Sequence, residues 1–190
     1  MLVNSEKICA LDIETTGLSI PSSRKAAYDE ILQLAVISID GQVQFNEYFK
    51  PERHESWLEA ENCNGISYDM VKRNHTFHEK LSDIQEILDR YDLVIVYNAD
   101  FDLSFIGHQG VNFKDKHYFC MMKAFSRLRS KRGLSPKRLR RYSLAQCASF
   151  LNVCVNDKEH DALADAQTVL SCYQAMCRML NVNEQEVLTV

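Results

Sequence analysis

The sequence predicts an α/β domain, a mixed β-sheet flanked by helices, and three observations carry that prediction. Strand patterns dominate the first fifty residues, strand and helix patterns alternate in the middle, and helical patterns fill the last part of the chain. The 190 residues are 46% apolar and 25% charged, with only 6 Gly and 3 Pro, which fits a single domain over 1–190 and excludes disordered or collagen-like chains. Nine Phe, eight Tyr and one Trp supply bulky core material, enough for a chain of this size to bury roughly 70% of its unfolded surface without disulfides.

Each element has its own signal. Ile8 to Ile13 reads as a short buried strand. Glu30 to Asp40 and Gln42 to Phe49 read as a hairpin whose connection is Asp40-Gly41. Between these strands, Ser19 to Asp29 contains Pro21, Ser22, Ser23, Arg24 and Lys25 without periodicity, and reads as an exposed loop beside the end of the first strand. From Thr76 to Tyr91 the apolar residues Phe77, Leu81, Ile84, Ile87 and Leu88 keep helical spacing. Asp92 to Tyr97 is continuous and β-branched, as in a central strand. A helix follows from about Asp100, then an edge strand at His117 to Cys120. Helices are expected over Met121 to Arg129, Ser143 to Leu151 and Asp161 to Leu180.

Composition also bounds the function. The apolar run Leu93 to Tyr97 falls far short of the about 20 residues of a membrane span, and Met1 to Lys7 lacks a basic leader followed by an apolar stretch. A soluble, cytoplasmic protein with no membrane partner is expected. The seven cysteines, at 9, 63, 120, 147, 154, 172 and 177, are odd in number and form no CxxC pair, so they read as reduced, buried apolar residues. His75, His78 and the scattered cysteines lack zinc-ligand spacing. The net charge of −4 conceals an asymmetry: Arg127 to Arg141 holds eight of the 22 basic residues and no acid, which leaves −12 on the remainder. One concentrated basic segment on an acidic protein points to contact with a polyanion.

Three clusters carry chemistry. The first strand runs out through Leu11-Asp12-Ile13-Glu14-Thr15-Thr16-Gly17-Leu18, which puts Asp12 and Glu14 on one face of an extended chain. Two carboxylates held this closely repel, and they stay ionised together only with a cation between them, for which a hard divalent ion is suited. Two solvated acids at a loop are the plain alternative. The second cluster is Tyr97-Asn98-Ala99-Asp100-Phe101-Asp102, where Asn98 or Asp100 could be a helix cap and Asp102 a first-turn acid. The third is His160-Asp161-Ala162-Leu163-Ala164-Asp165. Five residues turn about 140° on a helix, so His160 and Asp165 share a site only if His160 lies at or before the first turn, where Asn156 to Glu159 supplies a loop.

In this combination and order the clusters resemble the DEDD superfamily of 3′-to-5′ exonucleases, whose sheet is RNase H-like. Asp12 and Glu14 match its first motif, Asn98 to Asp102 its second, and His160 with Asp165 its third. The His-x4-Asp spacing, with Asp161 where another branch carries tyrosine, matches the histidine branch (DEDDh, DnaQ-like), similar to the proofreading epsilon subunit of bacterial replicative polymerases. The resemblance runs from Leu11 to about Met176 and includes Glu30 to Val36 and Asn64-Gly65-Ile66-Ser67. Many members have His where Asn64 stands and Asp-Thr where Cys120-Met121-Met122 stands.

The resemblance implies two Mg²⁺ or Mn²⁺ ions held by Asp12, Glu14, Asp102 and Asp165, with His160 as general base for water, and release of nucleoside 5′-monophosphates. Imidazole suits that role because its protonation changes near neutral pH. It also implies that Thr15, Thr16 and Leu18 hold the terminal nucleotide through backbone donors and an apolar side chain, with Asn98 nearby. Phe101 would stack on a base or pack in the core, and Arg138, Arg140 and Arg141 would meet phosphates. The expected partner is nucleic acid with a free 3′ end. DNA, single-stranded and in proofreading or repair, is favoured over RNA trimming, and a non-catalytic adaptor of the same fold is a further alternative. A polymerase partner is possible without a recognisable tail for it, and oligomeric state is not legible.

Overall fold

The computed structural model describes residues 7–20, 28–130, 140–155 and 160–181. Its centre is β1 (Ile8–Thr15). Alternation along this strand sends Ile8 and Ala10 to one apolar layer and Cys9, Leu11 and Ile13 to the other, all at most 5% exposed, so β1 must be covered on both faces. On one side β2 (Ile31–Ser38) pairs with it antiparallel, from Cys9↔Ser38 to Glu14↔Gln33, with a bulge between Glu14 and Thr15. On the other side β4 (Leu93–Val96) pairs parallel from Ile8↔Leu93 to Ala10↔Ile95. β3 (Val43–Tyr48) and β5 (His117–Cys120) complete a five-stranded mixed sheet in the order β3-β2-β1-β4-β5.

The even-numbered face of β1 is covered by α5 (Met121–Arg129), α6 (Leu144–Phe150) and α7 (Ala162–Leu180). The odd-numbered face is covered by α3 (Leu81–Asp89) and α4 (Ala99–His108), through Ile84, Leu88, Phe105 and Ile106. A smaller cluster of Leu32, Trp57, Ile66 and Val71 anchors α1 (Leu58–Asn64) and α2 (Tyr68–Val71). The Trp57 indole N–H donates to Ile66 O at 2.7 Å within it. The expected mixed sheet with flanking helices is therefore the observed architecture.

The differences lie in detail. The hairpin strands are shorter at both ends than Glu30–Asp40 and Gln42–Phe49, with Gly41 at φ 84° in the connection, a conformation only glycine adopts without cost. The helix expected over Thr76–Tyr91 is a 3₁₀ turn at His78–Lys80 followed by α3, and begins where Glu79 accepts from Thr76 N–H at 2.7 Å. Helices α1 and α2 have no counterpart in the sequence reading. α1 buries none of its residues and α2 is four residues long, so neither carries an apolar stripe. Five of the cysteines are buried, and Cys63 and Cys154 are exposed. Among the described residues no helix is long and apolar enough to cross a membrane. Most of the Ser19–Asp29 loop (21–27), the 156–159 loop and Arg138 lie outside the described residues.

Candidate active site

β1 and β4 run parallel, so their carboxyl ends meet at one edge of the sheet, where α4 begins and α7 crosses. Asp12, 9% exposed, and half-buried Glu14 project from the even-numbered face toward α7. Burial first, then the charges of Asp102, Asp165, Glu14 and Asp161, push the Asp12 carboxyl well above the ordinary range. Glu14 is pushed to about 7 by burial and by Asp165, against a lowering hydrogen bond from Asn64. Among the described residues no Lys or Arg forms an ion pair with Asp12, Glu14 or Asp102. Two solvated loop acids would show none of these features.

Asp102 is 3% exposed in the first turns of α4, so it is not a solvated first-turn acid. Burial raises its carboxyl to about 7 although backbone groups of Asp102, Asn98 and Ile13 hydrogen-bond to it. The Ile13 contact ties α4 directly to β1. Asn98 occupies the cap position, but its side chain makes no capping bond; its carbonyl accepts from Phe101 N–H at 2.9 Å and Asp102 N–H at 3.1 Å. Asp100 is exposed and paired with Lys123 at 2.7 Å.

The third cluster is organised by Asp161, which caps α7 by accepting from the N–H groups of Leu163 and Ala164, each at 3.1 Å. His160 lies just before that cap with φ 63°, a left-handed conformation uncommon outside glycine. Its ring nitrogen, a Glu14 oxygen and an Asp165 oxygen all lie within 4.8 Å of one another. Placing His160 ahead of the helix satisfies the condition that the 140° separation imposed.

Two side chains that the sequence reading did not single out hold α7 there. Gln33, 1% exposed, accepts from Ala162 N–H at 3.1 Å and donates to Asn46 Oδ1 at 3.0 Å. Tyr48 donates its hydroxyl proton to Asp161 Oδ2 at 3.3 Å. Gln33→Leu keeps the volume but leaves the Ala162 N–H buried and unpaired, at a cost of about 1–3 kcal/mol. The expected result is a melting temperature lower by about 2–10 °C and a fall in kcat exceeding that in substrate affinity, because His160 and Asp165 lose their seat. Calorimetry and steady-state kinetics on the purified variant check both.

The segment after Glu14 is also tied down. Thr15 Oγ1 donates to Gly17 O at 2.6 Å, and Thr16 Oγ1 accepts from Glu30 N–H at 2.9 Å while donating to Asp29 Oδ1 at 3.2 Å. Thr16 N–H donates to Glu30 O at 2.9 Å. The Thr16 N–H is thus engaged within the fold. A Cβ on Gly17 would lie 2.6 Å from the Asp29 carboxylate, which explains the glycine. Leu18 is 84% exposed. Phe101 is half-buried and packs against Phe105 with ring centroids 4.8 Å apart. Arg140 and Arg141 are exposed beyond α5.

Two further side chains, in segments quoted above for the resemblance, support this region. Asn64 donates to Thr15 O at 3.2 Å besides its bond to Glu14, so it supports the end of β1 and its carboxylate. Buried Glu30 accepts from the N–H groups of Glu52, Arg53 and His54 at 2.8–3.0 Å and from His54 Nδ1 at 2.7 Å, which fixes the chain after β3 beside Thr16.

The donor set fits a divalent cation. Carboxylate oxygens are hard ligands, the buried acids repel one another, and Glu14, His160 and Asp165 form the one group among the described residues whose donor atoms converge closely enough to hold an ion. No such group involves His75, His78 or a cysteine among the described residues.

Comparison with known proteins agrees with this geometry. The chain is 34% identical over 101 residues to a PolC-type DNA polymerase III of Listeria innocua, which covers 52% of this chain and 6% of the polymerase. It is 31% identical over 99 residues to the epsilon subunit of DNA polymerase III of Rickettsia conorii, covering 52% of this chain and 42% of that subunit. An uncharacterized exonuclease of Escherichia phage 186 is 26% identical over 178 residues, 88% of this chain and 87% of the phage protein. The fold superimposes on Exonuclease X in complex with 5′-overhanging duplex DNA with a TM-score of 0.65 at 20% identity, covering 94% of this chain and 96% of that one. The sequence model of the RNase_T exonuclease family matches residues 9–173, from β1 into α7. That span contains every element that brings an acid to the site, and the chain belongs to the RNase_T exonuclease family.

Proposed function

We propose that this chain is a metal-dependent 3′-to-5′ exonuclease of the DEDDh type that removes nucleoside 5′-monophosphates from DNA ends, single-stranded ends above all. The observation that carries the reading is the convergence of Asp12, Glu14, Asp102 and Asp165 at one sheet edge, with the His160 ring nitrogen within 4.8 Å of Glu14 and Asp165 oxygens. An adaptor without activity has no use for buried acids that oppose folding in this way.

Asp12, Glu14, Asp102 and Asp165 would hold two ions, Mg²⁺ or Mn²⁺, whose charge offsets theirs. Such ions, when bound, polarise the phosphodiester and make water more acidic. The protein's own part is positional and protolytic. The Asp161 cap and the Gln33 bond fix the start of α7, the left-handed turn presents the His160 imidazole beside Glu14 and Asp165, and a ring nitrogen there accepts the proton of the attacking water. The four carboxylates also exclude an unneutralised phosphodiester from the site until cations are present. Exposed Leu18 offers an apolar surface to the terminal base, and the exposed Arg140 and Arg141 offer charge to the strand, as Arg138 would.

The preference for DNA rests on similarity to polymerase-associated relatives, whose own lengths this chain covers only in part. The test is a time course on end-labelled single-stranded DNA and RNA of one sequence, with Mg²⁺, Mn²⁺ or EDTA. Metal-dependent stepwise shortening from the 3′ end, faster on DNA, is expected. Faster loss of RNA would make the chain an exoribonuclease, and retained binding without hydrolysis would make it an adaptor.

A further inference from the structure

Away from the carboxylates, a cleft of about 250 Å³ opens between α5 and α6, lined by Phe125, Arg129, Arg140, Tyr142, Gln146 and Phe150. No lining residue is acidic. The Arg129 guanidinium carbon lies 4.7 Å from the Phe150 ring centroid and that of Arg140 lies 5.1 Å from the Tyr142 ring. A guanidinium seated on a ring keeps its N–H edge free while its plane is restrained, which favours planar recognition of phosphate. Among the described residues neither arginine forms an ion pair.

The walls are fixed. Ser126 Oγ donates to Arg140 O at 2.7 Å, the Tyr97 hydroxyl donates to Tyr142 O at 2.6 Å, and Gln146 Oε1 accepts from Ser143 N–H at 3.0 Å. Phe150 is 41% exposed, an aromatic surface left beside two cations. α5 starts where Met122 N–H donates to Tyr97 O at 3.0 Å, one residue before Asn98, and runs away from there. Its length puts Arg129 roughly 12 Å along the axis, roughly three to four nucleotide steps at the spacing of a stacked strand.

Building on the exonuclease reading, we infer that this cleft is an accessory subsite for the nucleic-acid strand a few nucleotides upstream of the end being cleaved. Arg129 and Arg140 take phosphates, and Phe150 with Tyr142 takes an unpaired base. Two cations without acids, interleaved with aromatic rings, match the alternating anionic and planar groups of a single strand better than they match an acidic peptide, which offers no bases to stack.

The test uses the full chain and two probes, a 12-nucleotide oligodeoxythymidylate and the p-nitrophenyl ester of thymidine 5′-monophosphate, a phosphodiester with no upstream strand. Arg129→Ala is expected to lower affinity for the 12-mer and to reduce the slope of log K against log salt by about 0.7, the value of one phosphate contact on a single strand. Arg129→Lys should keep that slope. Phe150→Ala is expected to weaken 12-mer binding about tenfold with the slope retained. Equal losses on the ester and the 12-mer, or an unchanged salt slope in Arg129→Ala, overturn the subsite. A wild-type protein that leaves the ester intact overturns the exonuclease reading instead, and the salt slopes still decide the cleft.

Discussion

Asp12→Asn is expected to abolish hydrolysis and, at the same time, to raise the thermal stability of the metal-free protein at pH 8. Asp12 lies among Asp102, Asp165, Glu14 and Asp161 with little water around it. Its carboxyl is raised well above the ordinary value of 3.8, and those of Glu14 and Asp102 are raised to about 7. The folded protein therefore keeps protons that the unfolded chain releases above pH 3.8–4.5, so these groups lose stability as pH rises from there through about 7 and regain it on acidification. Neutralising Asp12 removes the most central charge. A melting temperature about 2–4 °C higher without metal is expected, the shift that ~1 kcal/mol gives a chain of this size. Activity should fall at least about 10³-fold, since an ion held at the phosphodiester supplies several kcal/mol. In wild type, Mn²⁺ at about 100 times its Kd should add ~2.7 kcal/mol, a rise of about 5–10 °C at pH 8, and less at pH 5.5, where protons compete for the acids. Scanning calorimetry of both proteins with EDTA or Mn²⁺ reads every one of these shifts. A metal-free variant less stable than wild type at pH 8 would show that Asp12 is a structural acid and not a strained one.

What the sequence disclosed, and what it did not, follows from how far each interaction reaches along the chain. β1 was legible because the apolar run Ile8 to Leu11, resumed at Ile13, needs no partner to identify it. Asp12 and Glu14 could be placed on one face by the period of a strand. Asp102 could not be told from a helix-dipole acid, because its burial is created by contact with Ile13, which is 89 residues away. Gln33 reaches Ala162 across 129 positions and Tyr48 reaches Asp161 across 113. Neither residue has a local pattern to announce it. Asn64 stood in a segment noted for the resemblance, but its link to Glu14 and Thr15 was not legible, because it depends on α1, a helix that carries no apolar stripe. The candidate site residues were thus readable only through the order of three motifs and the family they resemble, whereas the side chains that aim them were visible only once the sheet was assembled.

His160→Asn separates proton transfer from metal holding. The left-handed backbone at His160, φ 63°, is tolerated by asparagine better than by most residues, so this replacement removes the imidazole with little strain at the turn before α7. Asp161 still caps the helix through Leu163 and Ala164, and Gln33 still accepts from Ala162, so Asp165 keeps its place opposite Glu14. The expected loss in kcat is ~10²–10⁴, the range for removing a general base, with substrate affinity and the Mn²⁺-dependent rise in melting temperature largely kept. His160→Gly, for which the same φ costs nothing, should lose as much and recover part of its rate when free imidazole is added. If instead the Mn²⁺ shift disappears in both variants, His160 is a ligand alongside Glu14 and Asp165, as their mutual approach within 4.8 Å would permit, and the proton acceptor must be sought among the carboxylates. Rate rescue by imidazole with an intact metal shift is the outcome that only a general base produces.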